Sequence, residues 1–194
     1  MATTQKNNIT DEILIKQFQD GDRQSYNELV FRYKDRILNF LYRFMHDIDL
    51  AQDLAQETFL KVYIKKDSYR EISKFSTWLY TIASNLAKTE LRKIKRRKTY
   101  SISEISISER EHNYFIDEGS NDKLDDNEAI ILHKSIFELE QDFRTIIILR
   151  EIQELSYENI SKILKLPLGT VKSRINRGKL KLREILINKG VKRI

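Results

Sequence analysis

The chain has 194 residues, a formal net charge of +6, no cysteine and 40% hydrophobic residues. The lack of cysteine excludes disulfides, thiolate metal sites and cysteine nucleophiles, and it fits a reducing cytoplasm. No apolar run in the sequence approaches the roughly 20 residues of a membrane span, so neither membrane insertion nor export is expected, whereas the cationic surplus favours a polyanionic partner.

The first two predicted elements are helices. Thr10 or Asp11 can cap a first helix, and Gly21 is placed to end it. An apolar stripe at helical spacing then runs from Tyr26 to Phe44. The N-terminal part of the chain is therefore predicted to be helical from about residue 11.

A third helix is predicted to start at Asp49. The Asp49-x-x-Gln52 pair resembles a capping box, and apolar residues follow at helical spacing. The opposite, polar face consists of Asp49, Gln52, Asp53, Gln56 and Glu57. Taken alone, such a face is as consistent with simple solvation as with binding a partner.

A fourth helix is predicted from Phe75 onwards. The spacing of Trp78 with Ile82 and Leu86 predicts that the indole packs in the core rather than stacking on a base. The helix runs into a cationic block at residues 92–98. Because cations at this spacing repel one another unless a polyanion neutralises them, the block favours phosphate binding.

Residues 99–127 are predicted to form a flexible acidic linker. Serines and isoleucines alternate early in this segment, and its later part is acidic with little apolar content. The alternation is also compatible with a short strand. A single strand would have no partner, so a tether is favoured.

The most informative segment lies between Leu155 and Arg177. Ser156 can cap a first helix, Pro167 lies in a tight connection, and Thr170 can accept from the N–H groups that open a second helix. A helix-turn-helix presents its recognition helix to the DNA major groove in this way. The exposed side of the second helix is predicted to carry Lys172, Ser173, Asn176, Arg177 and Lys179. These side-chain types pair with bases and phosphates, so we expect DNA binding; a hairpin with a solvated basic face is the alternative.

Two parts of the chain resemble one known family. Residues 49–62 (DLAQDLAQETFLKV) and 75–85 (FSTWLYTIASN) resemble region 2 of bacterial extracytoplasmic-function sigma factors. Residues 155–157 (LSY) and 169–174 (GTVKSR) resemble their region 4. The resemblance implies an all-α fold with a region 2 bundle at 1–98 and a region 4 helix-turn-helix domain at 128–194, joined by the linker at 99–127.

The resemblance also implies a function and partners. The chain would be a cytoplasmic sigma factor that is not an enzyme and uses no cofactor or metal. Its partners would be the RNA polymerase core, promoter DNA and an anti-sigma factor. The core would be bound at its largest-subunit clamp by Asp49, Gln52, Asp53, Gln56 and Glu57.

Promoter contacts follow from the same resemblance. The loop at 68–74 corresponds to one that, in the family, captures a base flipped out of the minus-ten element, which requires stacking and phosphate contacts. The minus-ten residues would be Tyr69, Arg70, Lys74, Asn85, Arg92, Lys93 and Arg96. The minus-thirty-five residues would be Thr170, Lys172, Ser173, Arg174, Asn176, Arg177 and Lys179. Among the latter, Thr170 and Arg174 would lie nearer the DNA backbone.

The chain departs from the family pattern at two positions. Many relatives have glycine where this chain has Lys165, and alanine where it has Ser161. A left-handed conformation at Lys165 would cost on the order of 1 kcal/mol. The Ser161 hydroxyl needs a local acceptor, such as the carbonyl one turn back.

Three other functions compete with this interpretation. A free-standing helix-turn-helix regulator would leave the motifs at 49–62 and 75–98 without a role. A nuclease would need Asp53, Glu57 and His46 as metal ligands, although no paired metal signature is present in the sequence. An RNA-binding adaptor would use the same basic surfaces.

Overall fold

The computed structural model describes residues 9–100 and 126–191, so the predicted linker lies almost wholly outside the described residues. Within them the predicted all-α fold is confirmed. The helices are α1 (Asp11–Gln19), α2 (Arg23–Met45), α3 (Ile48–Ile64), α4 (Phe75–Tyr100), α5 (Asp126–Glu138), α6 (Gln141–Ile147), α7 (Tyr157–Leu164) and α8 (Leu168–Asn188). A 3-10 turn (Lys66–Ser68) follows α3, and a π turn (Ile148–Ile152) extends α6. None of the described helices combines the length and apolarity needed to cross a membrane.

The N-terminal bundle, α1–α4, forms around aromatic side chains of α2 and α4. Phe40 and Tyr80 meet edge to face with ring centroids 5.4 Å apart, and both are almost fully buried. Trp78 is half-buried and packs against the rings of Tyr69 and Phe75, at 5.4 and 6.1 Å. These contacts agree with the packing role predicted for the indole.

The cap of α1 is confirmed and the cap of α3 is corrected. Thr10 accepts from the Ile13 N–H at 3.4 Å. At α3, however, Asp47 is the N-cap and accepts from the Leu50 N–H at 3.0 Å, so the predicted capping box at Asp49 is wrong. The physical reason is that left-handed His46 ends α2 and leaves Asp47 as the last extended residue.

The C-terminal bundle, α5–α8, contains the predicted helix-turn-helix in α7 and α8. Ser156 caps α7 by accepting from the Asn159 N–H at 3.2 Å, as predicted. The predicted Thr170 cap is wrong, because α8 already begins at Leu168 and Pro167 is its N-cap. Extended Pro167 stands just before the helix, where its fixed φ suits the cap and its missing N–H is not needed.

The connection between α7 and α8 explains the two departures from the family pattern. Lys165 is left-handed, with φ 55° and ψ 46°, and ends α7. This conformation turns the chain back, so the Ser161 hydroxyl donates to the Leu166 carbonyl at 2.5 Å. The acceptor is therefore ahead of Ser161 in the sequence and not one turn back, as predicted.

Two glycines of α8 should respond oppositely to alanine. A Cβ on Gly178 would lie 2.9 Å from Cγ1 of buried Ile147, whereas a Cβ on Gly169 would meet nothing within 4 Å. We expect Gly178→Ala to lower the free energy of unfolding by about 1 kcal/mol, since overpacking outweighs the gain in helix propensity. Gly169→Ala should raise it by up to about 1 kcal/mol. Urea denaturation measures both; a stabilised Gly178→Ala variant would show that Ile147 moves aside freely.

The two bundles pack against each other along a seam, with α4 against α7 and α2 against α5. The buried Tyr80 hydroxyl donates to the Gln153 side-chain oxygen across this seam. Arg144 of α6 donates to the Phe44 carbonyl at 3.3 Å and also to the Leu139 carbonyl at 3.0 Å. One guanidinium thus joins the last turn of α2 to the end of α5.

Candidate nucleic-acid interface

The outer face of α8 presents polar and cationic side chains in one row. Val171 and Ile175 are fully buried, which fixes the rotation of the helix. The four side chains on the opposite face are exposed: Lys172, Ser173, Asn176 and Arg177. A helix with this face outward can enter a major groove and place these groups against base edges.

Two further residues of the predicted set are engaged within the protein. Arg174 pairs with Asp142 at 2.9 Å, and Lys179 pairs with Glu151 at 3.0 Å. Lys181 and Lys189 continue the series towards the end of the helix, with Glu140 and Glu138 as partners. Because these pairs are at the surface, each contributes little to stability, and a phosphate can compete for the cation. Sequence periodicity does not reveal such pairs.

Thr170 lies inside the first turn of α8 and is only partly exposed. Its carbonyl accepts from the Ser173 hydroxyl at 3.1 Å. Because α8 begins at Leu168, the Thr170 side chain lies near the helix N-terminus. The helix dipole and the exposed N–H groups favour a DNA phosphate at this end.

The outer face of α4 carries the second predicted group of DNA residues. Asn85, Arg92, Lys93 and Arg96 are exposed, and Lys93 pairs with Glu90 at 2.9 Å. Sequence reasoning missed Lys88. Burial lowers the pKa of Lys88, while Asp142 raises it and the charges of Arg92 and Arg174 lower it further. Asp142 therefore lies where cations of α4 and α8 converge.

The loop at 68–74 divides into a buried and an exposed part. Tyr69 is buried, and its hydroxyl donates to the Ser73 carbonyl at 2.8 Å. Arg70, Ile72 and Lys74 point outward, and 83% of the Ile72 side chain is exposed. The buried Tyr69 ring therefore supports the loop from inside, and the exposed side chains of Arg70, Ile72 and Lys74 form the outer surface of the loop.

An open cleft lies beside this loop. Arg32, Tyr33 and Lys74 line it from the N-terminal bundle, and Asn159 and Lys162 of α7 line it from the C-terminal bundle. Asp11 organises one wall, since its carboxylate accepts from Arg32 at 2.9 Å and from the Tyr33 hydroxyl at 2.5 Å. Burial, followed by the hydrogen bond and charge of Asp11, raises the pKa of Tyr33. The cleft therefore combines cations, carboxylates and neutral polar groups.

The polar face of α3 is continuous and solvent-exposed. The exposed side chains are Asp49, Gln52, Asp53, Gln56 and Glu57. On the inner face Ala51 and Leu54 are buried, and a salt bridge of 3.1 Å joins Glu57 to Lys61. This arrangement offers an exposed acidic and amide surface to a partner.

The residues of the alternative metal site do not come together. His46 stacks on His133 and Phe137, whereas Asp53 and Glu57 lie on the exposed face of α3. In the described part of the chain, no three His, Asp or Glu side chains are grouped closely enough to hold a metal ion. The geometry thus offers the nuclease alternative no support.

Comparison with known families identifies both bundles. Residues 29–97 match the family model of Sigma-70 region 2, and residues 129–182 match that of Sigma-70, region 4. The two matches cover α4 with its cationic block and the helix-turn-helix, respectively. The polar face of α3, the candidate DNA residues of α4 and the exposed row of α8 therefore lie within recognised sigma regions.

Whole-length relatives give the same result. The chain is 38% identical over 177 residues to RNA polymerase sigma-H factor of Pseudomonas aeruginosa, covering 87% of this chain and 90% of that protein. It is 37% identical over 180 residues to ECF RNA polymerase sigma factor SigW of Bacillus subtilis, covering 89% and 94%. Among solved structures, sigma factor RpoE of Bartonella quintana in complex with the anti-sigma factor NepR is similar, with TM-score 0.68 and 28% identity, covering 88% and 99% of the two chains.

Proposed function

Because this chain belongs to the extracytoplasmic-function sigma factors of RNA polymerase, we propose that its two bundles divide the work of promoter recognition. As a family member, the chain binds the polymerase core and directs promoter-specific initiation of transcription. The proposed units are residues 1–98 for core binding and the minus-ten element, a linker at 99–127, and residues 128–194 for the minus-thirty-five element.

The observation that carries this division is the exposed row on α8. Lys172, Ser173, Asn176 and Arg177 would read base edges, and Thr170, Arg174 and Lys179 would contact the backbone. The first four side chains are exposed on the outer face, whereas Arg174 and Lys179 are engaged in ion pairs, and a base edge requires a side chain that reaches outward from the helix. Arg174 and Lys179 can exchange Asp142 and Glu151 for phosphates.

The minus-ten element would be recognised by α4 and the loop at 68–74. Arg70 and Lys74 would contact phosphates beside a flipped base, with Tyr69 supporting the loop from inside. The residues on α4 would be Asn85, Arg92, Lys93 and Arg96. The exposed α3 face would dock on the clamp of the largest polymerase subunit.

The partners and location follow from the same membership. Since sigma factor RpoE of Bartonella quintana is known in complex with an anti-sigma factor, we propose that an anti-sigma factor also controls this chain. The protein would act in the cytoplasm, where RNA polymerase transcribes, as an initiation factor without enzymatic activity of its own. Run-off transcription with purified core polymerase on genomic fragments tests the function; absence of any specific transcript with a core-bound chain would contradict it.

Core binding should depend on the α3 face. We expect the double variant Asp53→Ala, Glu57→Ala to bind core polymerase at least about tenfold more weakly, because two charge-assisted contacts of about 1 kcal/mol or more each are lost. Pull-down and fluorescence anisotropy with labelled protein measure the affinity. The matched control is Asp20→Ala, Glu184→Ala, which removes two exposed acids, one just after α1 and one in α8. Equal core affinity of both double variants would place the contact elsewhere.

A further inference from the structure

Four aromatic rings form a continuous stack across the seam between the bundles. Tyr42 and His46 come from the C-terminal end of α2, and His133 and Phe137 come from α5. The ring centroids of Tyr42 and His133 are 4.9 Å apart, those of His46 and His133 are 5.1 Å apart, and those of His46 and Phe137 are 4.4 Å apart. All three pairs are close to parallel, at 12°, 25° and 26°. Two titratable rings, one from each bundle, therefore share a single interface.

The surroundings of the stack disfavour a positive charge. His133 is only 8% exposed, and burial lowers its pKa to about 4, with further lowering by His46 and Arg43. From α6, the Arg144 guanidinium lies 4.1 Å from the Phe137 ring centroid. On α5 itself, Lys134 is one residue away, and Glu138 is engaged with Lys189 of α8 at 2.5 Å. Burial and the charges of His46 and Arg43 thus disfavour a proton on His133.

The seam contains buried polar side chains beside the apolar core that the two bundles share. Tyr80 and Gln153 meet there through a hydrogen bond, and Thr77 and Ser84 of α4 are buried polar residues. Lys88 lies at its edge, close to the charges of Asp142 and Arg174. Interfaces between domains of one chain are more polar than permanent interfaces, and relative motion across them is common. When the bundles part, water can replace the Tyr80–Gln153 hydrogen bond and can hydrate the buried Thr77 and Ser84 hydroxyls, which have no hydrogen-bond partner among the described residues.

We propose that the stack formed by Tyr42, His46, His133 and Phe137 makes docking of the C-terminal bundle on the N-terminal bundle pH-dependent, so that mild acidification releases the two bundles from each other. Release exposes the α4 face that now lies against α7. This equilibrium is a property of the free chain, and it does not depend on which residues contact promoter DNA.

The sign follows from proton linkage. In the docked state His133 is neutral because its pKa is about 4, whereas in the released state it has an ordinary pKa near 6.5. Docking is therefore strongest above pH 6.5 and weakens as the pH falls from there towards 4, and below pH 4 both states bind the proton. From about pH 7.5 to about pH 5.5, His133 alone should lower the docking equilibrium constant about tenfold.

Energy transfer within the full chain tests the proposal. The sequence has no cysteine, so Asp20→Cys on the N-terminal bundle and Asn188→Cys on the C-terminal bundle give two unique labelling sites. Single-molecule measurements then count docked and released molecules at each pH, and circular dichroism verifies that the helices persist. If released molecules are too rare to count, the same titration is repeated in a Tyr80→Phe background. This substitution removes the Tyr80–Gln153 hydrogen bond across the seam and so raises the released fraction into the measurable range.

The variants remove both titratable rings while they keep an aromatic ring at position 133 and the backbone conformation at position 46. His133→Phe retains a ring, and His46→Asn retains a side chain that tolerates the left-handed conformation at this position, φ 57°. We expect the double variant to lose the tenfold pH effect, and His112→Gln, which removes the third histidine, to retain it. A ratio of docked to released molecules that does not change with pH in either background would overturn the proposal. So would a pH effect that survives in the double variant.

Discussion

Raising the salt concentration from about 50 to about 200 mM should weaken promoter binding by about 250- to 1,000-fold. The expectation rests on roughly four to six phosphate contacts from α8 and the cationic block at 92–98, which give a log–log salt slope of roughly −4 to −5. Binding to a promoter duplex, measured by fluorescence anisotropy over a salt series, gives this slope directly. A slope near zero would mean that the positive surfaces bind something other than DNA.

Single substitutions that each neutralise one cation should show how much that residue contributes to the salt slope. Lys179→Gln and Arg92→Gln remove exposed cations of α8 and α4 that are proposed to contact phosphates, and each should make the slope shallower by about one. Lys189→Gln is the matched control. Lys189 follows the last residue of α8, at the end of the helix opposite to the row that is proposed to face DNA, so its neutralisation should leave the slope unchanged. Equal changes for all three variants would point to net charge, and not position, as the cause.

Local signals explain why much of the fold was predictable. The Ser156 cap needs only a backbone N–H three residues ahead, and the buried faces of α7 and α8 repeat every three to four residues. The same locality explains the errors at caps. Asp47 and Asp49 both carry a suitable carboxylate, and only the left-handed turn at His46 decides between them. At α8, extended Pro167 precedes the helix and leaves Thr170 inside its first turn.

Contacts between distant residues were beyond sequence reasoning. Tyr80 and Gln153 are 73 residues apart in the chain, and Arg144 and Phe44 are 100 apart. Helical periodicity predicts which face of a helix is buried, but not which helix covers it. The seam therefore emerges only from the structure, as does the histidine stack that it contains.

The candidate DNA site shows the same limit. Exposure of Lys172 and Arg177 follows from burial of Val171 and Ile175 on the opposite side, which periodicity predicts. The pairing of Arg174 with Asp142 does not, because Asp142 comes from another helix 32 residues earlier in the sequence. This pair changes what should be expected of Arg174, since DNA must compete with an existing partner.

Arg177→Ala should cost about 1–3 kcal/mol on the correct promoter and relax discrimination at one base position. Arg177 is exposed on the outer face of α8, where a bidentate pair with guanine is the contact that its guanidinium makes best. Asn176, beside it, can both donate to and accept from adenine. Its substitution by alanine should therefore relax a different base position.

Arg174→Ala should instead weaken binding to all sequences alike, because a phosphate contact carries no base information. Asp142→Asn gives the opposite effect and serves as the matched control. It releases Arg174 from its 2.9 Å ion pair without shortening any cationic side chain, so binding to every duplex should tighten by up to about 1 kcal/mol. A variant that tightens binding to one base sequence only would place Arg174 at a base edge.

The measurement that separates these roles is a binding series over single-base promoter variants with wild type, Arg177→Ala, Arg174→Ala and Asp142→Asn. Specific readout predicts that the Arg177→Ala loss disappears on duplexes already mismatched at its base, since the missing contact cannot be lost twice. Backbone contact predicts that the Arg174→Ala loss is the same on every duplex. If Arg177→Ala instead produced equal losses on all sequences, Arg177 would be a phosphate ligand. The helix would then enter the groove rotated from the orientation that the exposed row of α8 implies.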